Sequence, residues 1–423
     1  MNDLLAGYGE ATVTPPLGTE LCGYGGKIRR AESVLDELKA HAVWLEKGPA
    51  RLVLISCDLI GFSVEFSDTI RKQVAAENDI PMEHILLSCT HTHTGPASMP
   101  LKNCGGAIVP EYLAKVPHSI SEAVRAAGAD RSKATLRLQC QTITPIGFNR
   151  CNDSFQTIDP KLTTAIFERL EKNKIYMFNY ACHPVMMKGH VAVSADWPGR
   201  LVQAIEKRGH HGVVFQGFCG DINPVSLFGD AEDPEDLVTL YGESMCQQML
   251  LAEPQAKSVE VTELIGLEQR IQIPLQAHDL TTIQKEHDEF LAKYKDKPGH
   301  DTERFIGNWA LQARAMLKQT TLPNVPIQRI GLGALNIIGL PGEVFCEYGL
   351  QLRAKLPMLF TVGYAGGNIG YLPTAKTYQD KSLYGWYSCY DCPKQLPSCF
   401  PFAPCVEELL LGHCFELLHI KRL

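Results

Sequence analysis

The stretch Ile85-Leu86-Leu87-Ser88-Cys89-Thr90-His91-Thr92-His93-Thr94-Gly95-Pro96 joins an apolar β-strand pattern to two closely spaced histidines. Alternate residues of an extended chain share a face, so we expect His91 and His93 to point the same way beyond the strand end. Two imidazoles at one strand end are the beginning of a divalent-metal site. Hydrogen-bonded structural histidines are the alternative, and the pair alone leaves both interpretations open.

The overall composition is that of an acidic globular protein. The chain has 423 residues, of which 45% are hydrophobic and 21% charged, so a sizeable core can form. A net charge of −7 argues against nucleic acid as the main partner. The first residues carry no basic, apolar export signal, and no stretch approaches about 18 uninterrupted apolar residues, so we expect neither export nor membrane insertion. Fifteen scattered cysteines then indicate reduced thiols in the cytoplasm.

Strand-like and helix-like segments alternate along the chain. The predicted strands are 41–46, 51–58, a strand ending at His91, 134–142, 174–182, 213–215, 256–274, 326–340 and 360–363. The predicted helices are 64–78, 110–128, 198–209, 233–251 and about 343–356. No repeat, low-complexity tract or linker interrupts the pattern. We therefore predict a single α/β domain over residues 1–423, with a large mixed β-sheet core flanked by helices and a catalytic site at the strand ends.

The segment 275–325 differs from its surroundings, because it is rich in Lys, Glu, Asp and Gln and has a helical pattern. It predicts a helical insertion at about 275–325. This insertion is either a lid over a site or, as we favour, a plain solvated pair of helices.

Three further side chains follow predicted buried strands or glycine-rich turns and are candidate zinc ligands. A catalytic zinc needs about three protein ligands and an open position. His183 comes after a strand and before Pro184, Glu343 follows Pro341-Gly342, and Tyr371 follows a glycine-rich loop. Each also has an ordinary explanation: a solvated strand-end histidine, an acid favoured in the first turn of a helix, and a turn or core tyrosine.

Other polar side chains are placed where they could support such a site. Asp196 precedes a helix, where it could be no more than an N-cap. Asp221 lies in a glycine-rich turn that suits close backbone approach, and Arg150 ends a strand. Asp58 closes another strand, where a carboxylate could orient a ligand histidine.

Taken together, these pieces resemble the neutral/alkaline (non-lysosomal) ceramidase family, specifically its N-terminal catalytic domain. The matching pieces run through most of the chain in order. They are Gly7-Tyr8-Gly9-Glu10-Ala11-Thr12-Val13-Thr14-Pro15 with Gly23-Tyr24-Gly25, Ser56-Cys57-Asp58-Leu59, Thr90-His91-Thr92-His93-Thr94-Gly95-Pro96, Phe148-Asn149-Arg150, Ala181-Cys182-His183, Ser194-Ala195-Asp196, Cys219-Gly220-Asp221-Ile222-Asn223-Pro224, Pro341-Gly342-Glu343 and Gly370-Tyr371.

The resemblance implies one catalytic Zn²⁺ ion and a role for each matching residue. The implied zinc ligands are His91, His183, Glu343 and Tyr371. His93 would face the substrate near the developing oxyanion, and Arg150 would sit at the substrate mouth. Asp196 and Asp221 would be supporting groups in the catalytic set.

The chain also departs from the family in ways that bear on the substrate. It is too short for the C-terminal immunoglobulin-like domain of ceramidases, and it shows no export signal. We therefore expect a zinc-dependent hydrolase that cleaves an amide, ester or lactone bond in a small polar molecule. The alternatives are true ceramide hydrolysis and a non-catalytic metal- or ligand-binding protein on the same scaffold. Homo-oligomerisation is open.

The tail contains four more cysteines that could bind a metal. Cys389 and Cys392 form a CxxC pair, followed by Cys399 and Cys405. A second, structural Zn²⁺ usually takes two close pairs, so free thiols in a proline-rich tail are the favoured interpretation. A redox-responsive role for these thiols is a further alternative.

Overall fold

The structure is a computed structural model that describes residues 3–25, 28–144, 146–152, 154–228, 233–296 and 301–420. Its principal strands are β1 (Leu4–Thr12), β2 (Lys39–Lys47), β3 (Ala50–Cys57), β4 (Ile85–Cys89), β5 (Ser132–Thr142), β6 (Lys161–Arg169), β7 (Ile175–Tyr180), β8 (His211–Gln216), β9 (Lys257–Val259), β10 (Leu264–Pro274), β11 (Thr321–Leu332), β12 (Leu335–Gly339) and β13 (Phe360–Val362). The helices are α1 (Val64–Asn78), α2 (Pro110–Leu113), α3 (Val116–Ala129), α4 (Asp196–Glu206), α5 (Pro234–Ala252), α6 (Leu280–Tyr294), α7 (Thr302–Ala315), α8 (Cys346–Arg353), α9 (Leu383–Trp386) and α10 (Val406–Leu417).

A nine-stranded mixed sheet forms the centre of the molecule. Its strands run in the order β8-β7-β6-β5-β1-β2-β3-β4, with β9 paired to β5. Only the outermost pairs, β3 with β4 and β7 with β8, are parallel. The predicted large mixed sheet flanked by helices is therefore confirmed.

A second sheet of four strands, which the sequence pattern did not separate from the first, packs on one face of the large sheet. Its order is β10-β11-β12-β13. Alternate residues of β3 show the layering: Leu52 and Leu54 share a core with the second sheet, whereas Val53 and Ile55 share a core with α1, α3 and α4. The outer face of the second sheet is covered by α7 and α10. The order of layers is thus helices, large sheet, small sheet, helices.

The large sheet curves so that its two edges approach each other. Ser56 of β3 donates a hydrogen bond through Oγ to the carbonyl oxygen of Val214 in β8, at 2.6 Å. Gln216 at the end of β8 donates through Nε2 to the carbonyl oxygen of Thr90, just beyond β4, at 3.0 Å. As a result, the carboxyl ends of the two parallel edge pairs lie side by side.

Three predicted elements are each divided into two in the structure. The predicted long strand 256–274 is two strands in different sheets, because the chain leaves β9 and crosses to β10 after Val259. The predicted strand 326–340 is the β11–β12 hairpin, which turns at Gly333 with φ +58°. The predicted helix at 110–128 is divided into α2 and α3, with Pro117 in the first turn of α3, where a missing N–H costs least.

Helices α6 and α7 lie within the segment 275–325, between β10 and β11. They are tied to the chain beyond α9 rather than freely solvated. Trp309 donates through Nε1 to the carbonyl oxygen of Cys399 at 3.0 Å, and Lys394 pairs with Glu286 at 2.7 Å. No helix in the described part of the chain has the length and apolar character needed to cross a bilayer.

Asn179 provides a test of the contact between the two sheets. Its buried Nδ2 donates to the carbonyl oxygens of Phe215 and Thr361, both at 2.9 Å, and its Oδ1 accepts from the Thr361 amide at 3.0 Å. The change Asn179→Ala leaves these backbone groups buried without partners, so we expect it to lower the free energy of unfolding by about 3 kcal/mol, measured by urea denaturation. The matched change at exposed Asn308 of α7 should alter stability by less than about 0.5 kcal/mol. Equal effects of the two changes would contradict this account.

Candidate metal site

The candidate site lies where the carboxyl ends of strands from both sheets meet. His91 follows β4, His183 follows β7, and Glu343 follows β12. In α/β proteins the crevice outside the carboxyl ends of parallel strands is the usual place for a ligand. Distances between these side chains show that the fold brings them together.

His91 is fixed by its backbone, by a hydrogen bond at Nδ1 and by a ring stacked on its own. Strand β4 ends two residues before it, and His91 has a left-handed backbone with φ +70°, which is strained for a residue with a side chain. Its Nδ1 lies 2.6 Å from the carbonyl oxygen of Ile60, and its ring stacks on Tyr364 at 4.2 Å between centroids. We expected His91 and His93 to share a face of an extended strand, and this reason is wrong, because the chain turns at His91.

His183 is almost completely buried, with 1% of its surface exposed. Its Nδ1 lies 2.7 Å from the carbonyl oxygen of Cys219 in the turn after β8. Burial, together with the nearby charge of Arg150, lowers the pKa of His183 to about 4. The imidazole is therefore neutral near pH 7.

Glu343 lies in a two-residue strand, Glu343–Val344, that pairs in parallel with Tyr371–Leu372. The predicted helix at 343–356 begins only at Cys346, so Glu343 is not a first-turn residue and the helix-dipole explanation does not apply to it. Its Oε2 is 3.2 Å from Nε2 of His183 and 3.5 Å from Nε2 of His91. Burial alone would raise the pKa of this carboxyl, but the two imidazoles hold it well below its usual value.

The donor atoms of this set fit a zinc ion. A carbonyl oxygen can only accept a hydrogen bond, so Nδ1 of His91 and of His183 must carry the proton, and Nε2 of each ring is left facing Glu343. This arrangement, in which the outer nitrogen donates to the backbone and the inner nitrogen faces the centre, is typical of metal-bound histidines. Two imidazole nitrogens and a carboxylate oxygen are ligands that zinc accepts.

His93 is the third imidazole of the cluster. Its Nε2 is 3.1 Å from Nε2 of His91, and one ring nitrogen from each of His91, His93 and His183 lies within 4.8 Å of the others. His93 keeps some solvent exposure, but its Nδ1 is buried without a hydrogen-bond partner. Enclosure of the ring, and after it the neighbouring His91 and His183, lower the pKa of His93 well below its usual value.

The loop before β2 holds His93 in place. Arg29 donates through Nη2 to the carbonyl oxygens of His93 at 2.8 Å and Cys22 at 2.9 Å. The ring of Tyr24 meets the His93 ring edge-on at 5.0 Å. A Cβ atom on Gly23 would lie 2.6 Å from the His93 ring, so only glycine fits beside it.

Arg150 and Tyr371 form a buried pair at the side of the cluster. Arg150 donates through Nη2 to the Tyr371 hydroxyl oxygen at 2.7 Å and to the carbonyl oxygen of Gly220 at 2.6 Å. The guanidinium carbon lies 5.2 Å from the Tyr371 ring and 4.9 Å from the Tyr384 ring. Burial raises the pKa of Tyr371 well above its usual value, so the hydroxyl keeps its proton without a metal.

The two expected supporting acids contact the backbone around the cluster rather than the cluster itself. Asp221 accepts from the Cys346 amide at 2.7 Å and from Nδ2 of Asn149 at 2.7 Å, which joins the loop after β8 to the chain after Glu343. Asp196 accepts from the amides of Trp197 at 2.7 Å and Met187 at 3.0 Å. Asp196 is thus the first residue of α4 rather than its N-cap, and it secures the loop that follows His183.

Asp58 does not orient a ligand histidine directly, contrary to expectation. Its Oδ1 accepts from the Thr90 hydroxyl at 3.3 Å, so it acts on the residue before His91. The backbone carbonyl of Ile60 takes the orienting role instead. Sequence patterns did not reveal this carbonyl, Tyr364, Arg29 or Gln216, because none belongs to a recognisable metal motif.

The tail cysteines form no comparable cluster. Cys389, Cys392 and Cys399 are buried, Cys405 is exposed, and all four are free thiols. Within the described ranges, the close group of three His, Cys, Asp or Glu side chains is formed by His91, His93 and His183, and it contains none of the tail cysteines.

Asp196 predicts a specific pH dependence of stability. Burial raises the pKa of Asp196 to about 7, against about 3.9 in an unfolded chain. The folded protein then binds more protons than the unfolded chain between these values, so this contribution to stability is complete below pH 4 and is lost as the pH rises to 7. Between pH 4 and 7, the free energy of unfolding of wild type should fall by up to about 4 kcal/mol relative to that of Asp196→Asn, measured by urea denaturation.

The control is Asp236→Asn, at an exposed position of α5. Its stability should depend on pH as that of wild type does. A wild type and an Asp196→Asn variant with parallel stability profiles between pH 4 and 7 would show that the carboxyl titrates normally.

Comparison with solved structures identifies the architecture. The chain is similar to the crystal structure of neutral ceramidase from Pseudomonas aeruginosa, with a TM-score of 0.75 and 17% sequence identity over 100% of this chain and 76% of that one. A ceramidase complexed with C2 matches with a TM-score of 0.70, again at 17% identity and over the same shares. No protein-family model and no curated protein matches the sequence. The resemblance carried by the short motifs is confirmed by the structure: the chain has the ceramidase-like fold.

Proposed function

We propose that this protein is a zinc-dependent hydrolase that cleaves an amide, ester or lactone bond in a small polar substrate. The observation that carries the proposal is the convergence of Nε2 of His91, Nε2 of His183 and Oε2 of Glu343 at 3.2–3.5 Å. The ceramidase-like fold supports it, since two solved structures that share this fold are ceramidases.

The proposed zinc ligands are His91, His183, Glu343 and Tyr371. Zinc at such a site would act as a Lewis acid that polarises a carbonyl group and lowers the pKa of water to about 7. Glu343 contributes the negative charge of the set, and its low pKa keeps it ionised. The Tyr371 oxygen accepts its hydrogen bond from Arg150, so its own proton is free to be displaced or donated.

His93 is proposed to contact the substrate. It is the member of the cluster that retains solvent exposure, and its Nε2 faces the same centre as that of His91. A proton held at Nε2 would be donated to the oxyanion that develops as the carbonyl is attacked, or passed to the leaving group. Arg29 and Tyr24 keep the ring in that orientation.

Arg150 is proposed to position Tyr371 and to stabilise negative charge. Its buried Nε has no hydrogen-bond partner, although Nη2 makes two bonds. A buried donor left without a partner is costly, and a substrate oxygen would remove that cost.

The size of the cavity beside the cluster favours a small substrate over ceramide. This cavity has a volume of about 240 Å³ and adjoins the cluster through Gly23, beside His93, and Tyr387, whose ring is 5.8 Å from that of Tyr371. Pockets for drug-sized ligands usually measure about 300–1,000 Å³, so two long lipid chains would not be enclosed. Ceramide remains the second candidate on the strength of the shared fold, and a screen of acyl-amides, lactones and ceramide with one preparation would separate the two.

The change His91→Ala should abolish metal binding and activity together. It removes the proposed ligand that lies beside both His93 and Glu343, so too few donors remain to bind zinc tightly. Elemental analysis of wild type should find one zinc per chain, and the variant should contain less than a tenth of that amount. The control is His118→Ala, because His118 is an exposed histidine on α3 with 77% of its side chain accessible. Retention of stoichiometric zinc and near-normal turnover by His91→Ala would rule out the assignment.

The change His93→Ala should lower the catalytic rate without lowering the zinc content. If His93 donates to the oxyanion rather than to zinc, the variant keeps one zinc per chain while kcat falls about 10²–10³-fold. Zinc content and kcat should be measured on the same sample, with His118→Ala again as the control. Loss of zinc from His93→Ala would instead make it a third imidazole ligand, as its distance to His91 also allows.

A further inference from the structure

The cavity beside the candidate metal site is enclosed by aromatic rings. Four of them line it: Phe290, Tyr294, Tyr384 and Tyr387. The first two come from α6, and the last two from the chain at α9 and just beyond it. These parts of the chain lie outside both sheets and meet only because the segment after α6 and α7 folds back on them.

One acidic side chain lines the cavity. Among the described residues that line it, Asp391 is the one with a formal charge at neutral pH. The side chain of Asp391 is buried, and it stands on a π-helical turn, Tyr387–Asp391, that also carries Tyr387. Such widened turns occur frequently at functional sites.

The hydrogen bonds that Asp391 accepts from Lys293 and Tyr294 both go to one carboxylate oxygen. Lys293 donates to Oδ2 at 2.9 Å, and the hydroxyl of Tyr294 donates to the same oxygen at 2.7 Å. Oδ1 receives neither bond. Lys293 lies on the far side, in an adjoining cavity, and 40% of its side chain is exposed, so it can move into solvent.

One ring of this wall, that of Tyr294, already contacts a cation. The Lys293 ammonium lies 4.8 Å from the Tyr294 ring centroid and 6.0 Å from that of Trp386. Aromatic faces beside a carboxylate are the usual environment for ammonium ligands, because the ring quadrupole and the charge act together. The cavity side of this wall offers the same chemistry without a cation of its own among the described residues.

From these contacts we propose that the cavity binds a compact cationic amine that forms part of the substrate. The inference rests on the proposed function and names its substrate class: an amide or ester whose amine-bearing end is linked to the scissile bond by a short chain. The ammonium group lies between the aromatic rings and pairs with Asp391. The scissile bond then extends past Tyr387 and Gly23 towards Tyr371 and His93.

The test is calorimetric binding of three probes of similar size to the protein as purified: benzylamine as the cation, benzyl alcohol as the neutral analogue and benzoate as the anion. We expect saturable binding of benzylamine at least tenfold tighter than that of the other two at pH 7.5. Asp391→Asn should weaken benzylamine about tenfold and leave benzyl alcohol unchanged.

Lys293→Met distinguishes recognition from a structural role of Asp391. Removal of the competing ammonium should tighten benzylamine binding about threefold or more, whereas a merely structural ion pair would leave binding unchanged or weaken it. Asp288→Asn, the same chemical change at an exposed position of α6, is the matched control and should bind as wild type does.

Equal affinities for the three probes, a preference for benzoate, or benzylamine binding that survives Asp391→Asn would overturn the inference. The last result would indicate coordination of the amine by a metal. Zinc content decides the proposed function separately, so a zinc-containing hydrolase that ignores amines and a zinc-free protein that binds them are distinguishable outcomes.

Discussion

One buried amide, the side chain of Gln216, connects the strand ends that carry the candidate site. Its Nε2 donates to the carbonyl oxygens of Thr90 at 3.0 Å and Cys182 at 2.9 Å, the residues that immediately precede His91 and His183. Its backbone carbonyl accepts from the Gly363 amide at 3.0 Å, which adds the second sheet to the same point. These strand ends belong to opposite edges of a nine-stranded sheet, so their proximity depends on the curvature of that sheet. The two hydrogen bonds of Gln216 hold the curved edges together beside His91 and His183.

Local sequence patterns were sufficient to place most elements but not their arrangement. Helix α1 and strand β4 follow from short-range periodicity, because the residues that decide them are neighbours in the chain. The break between β9 and β10 could not be predicted in this way. Both halves alternate as strands do, and the reason for the break is that two different sheets need them. The curvature of the large sheet is likewise a property of long-range packing.

In the candidate site, too, local sequence patterns predicted some of the residues and not others. His91, His183 and Glu343 could be singled out because a strand, a polar residue and a Gly or Pro turn leave a recognisable pattern. Their orienting partners could not, because the acceptors on Nδ1 of the two histidines are backbone carbonyls of Ile60 and Cys219, and any residue type supplies a carbonyl. Even the closeness of His91 and His93 was expected for a reason that proved wrong, since a left-handed turn rather than strand alternation brings the rings together.

The cavity beside the strand ends is lined by parts of the chain that lie outside both sheets. Helices α6 and α7 and the chain after α9 are held by a buried network in which Glu286 pairs with both His278, at 2.9 Å, and Lys394, at 2.7 Å. Both of these contacts lie outside the group formed by His91, His93 and His183. The arrangement of the strand ends and the lining of the cavity therefore depend on different parts of the chain. The first depends on Gln216 and the curvature of the large sheet, and the second on the helical pair and the tail.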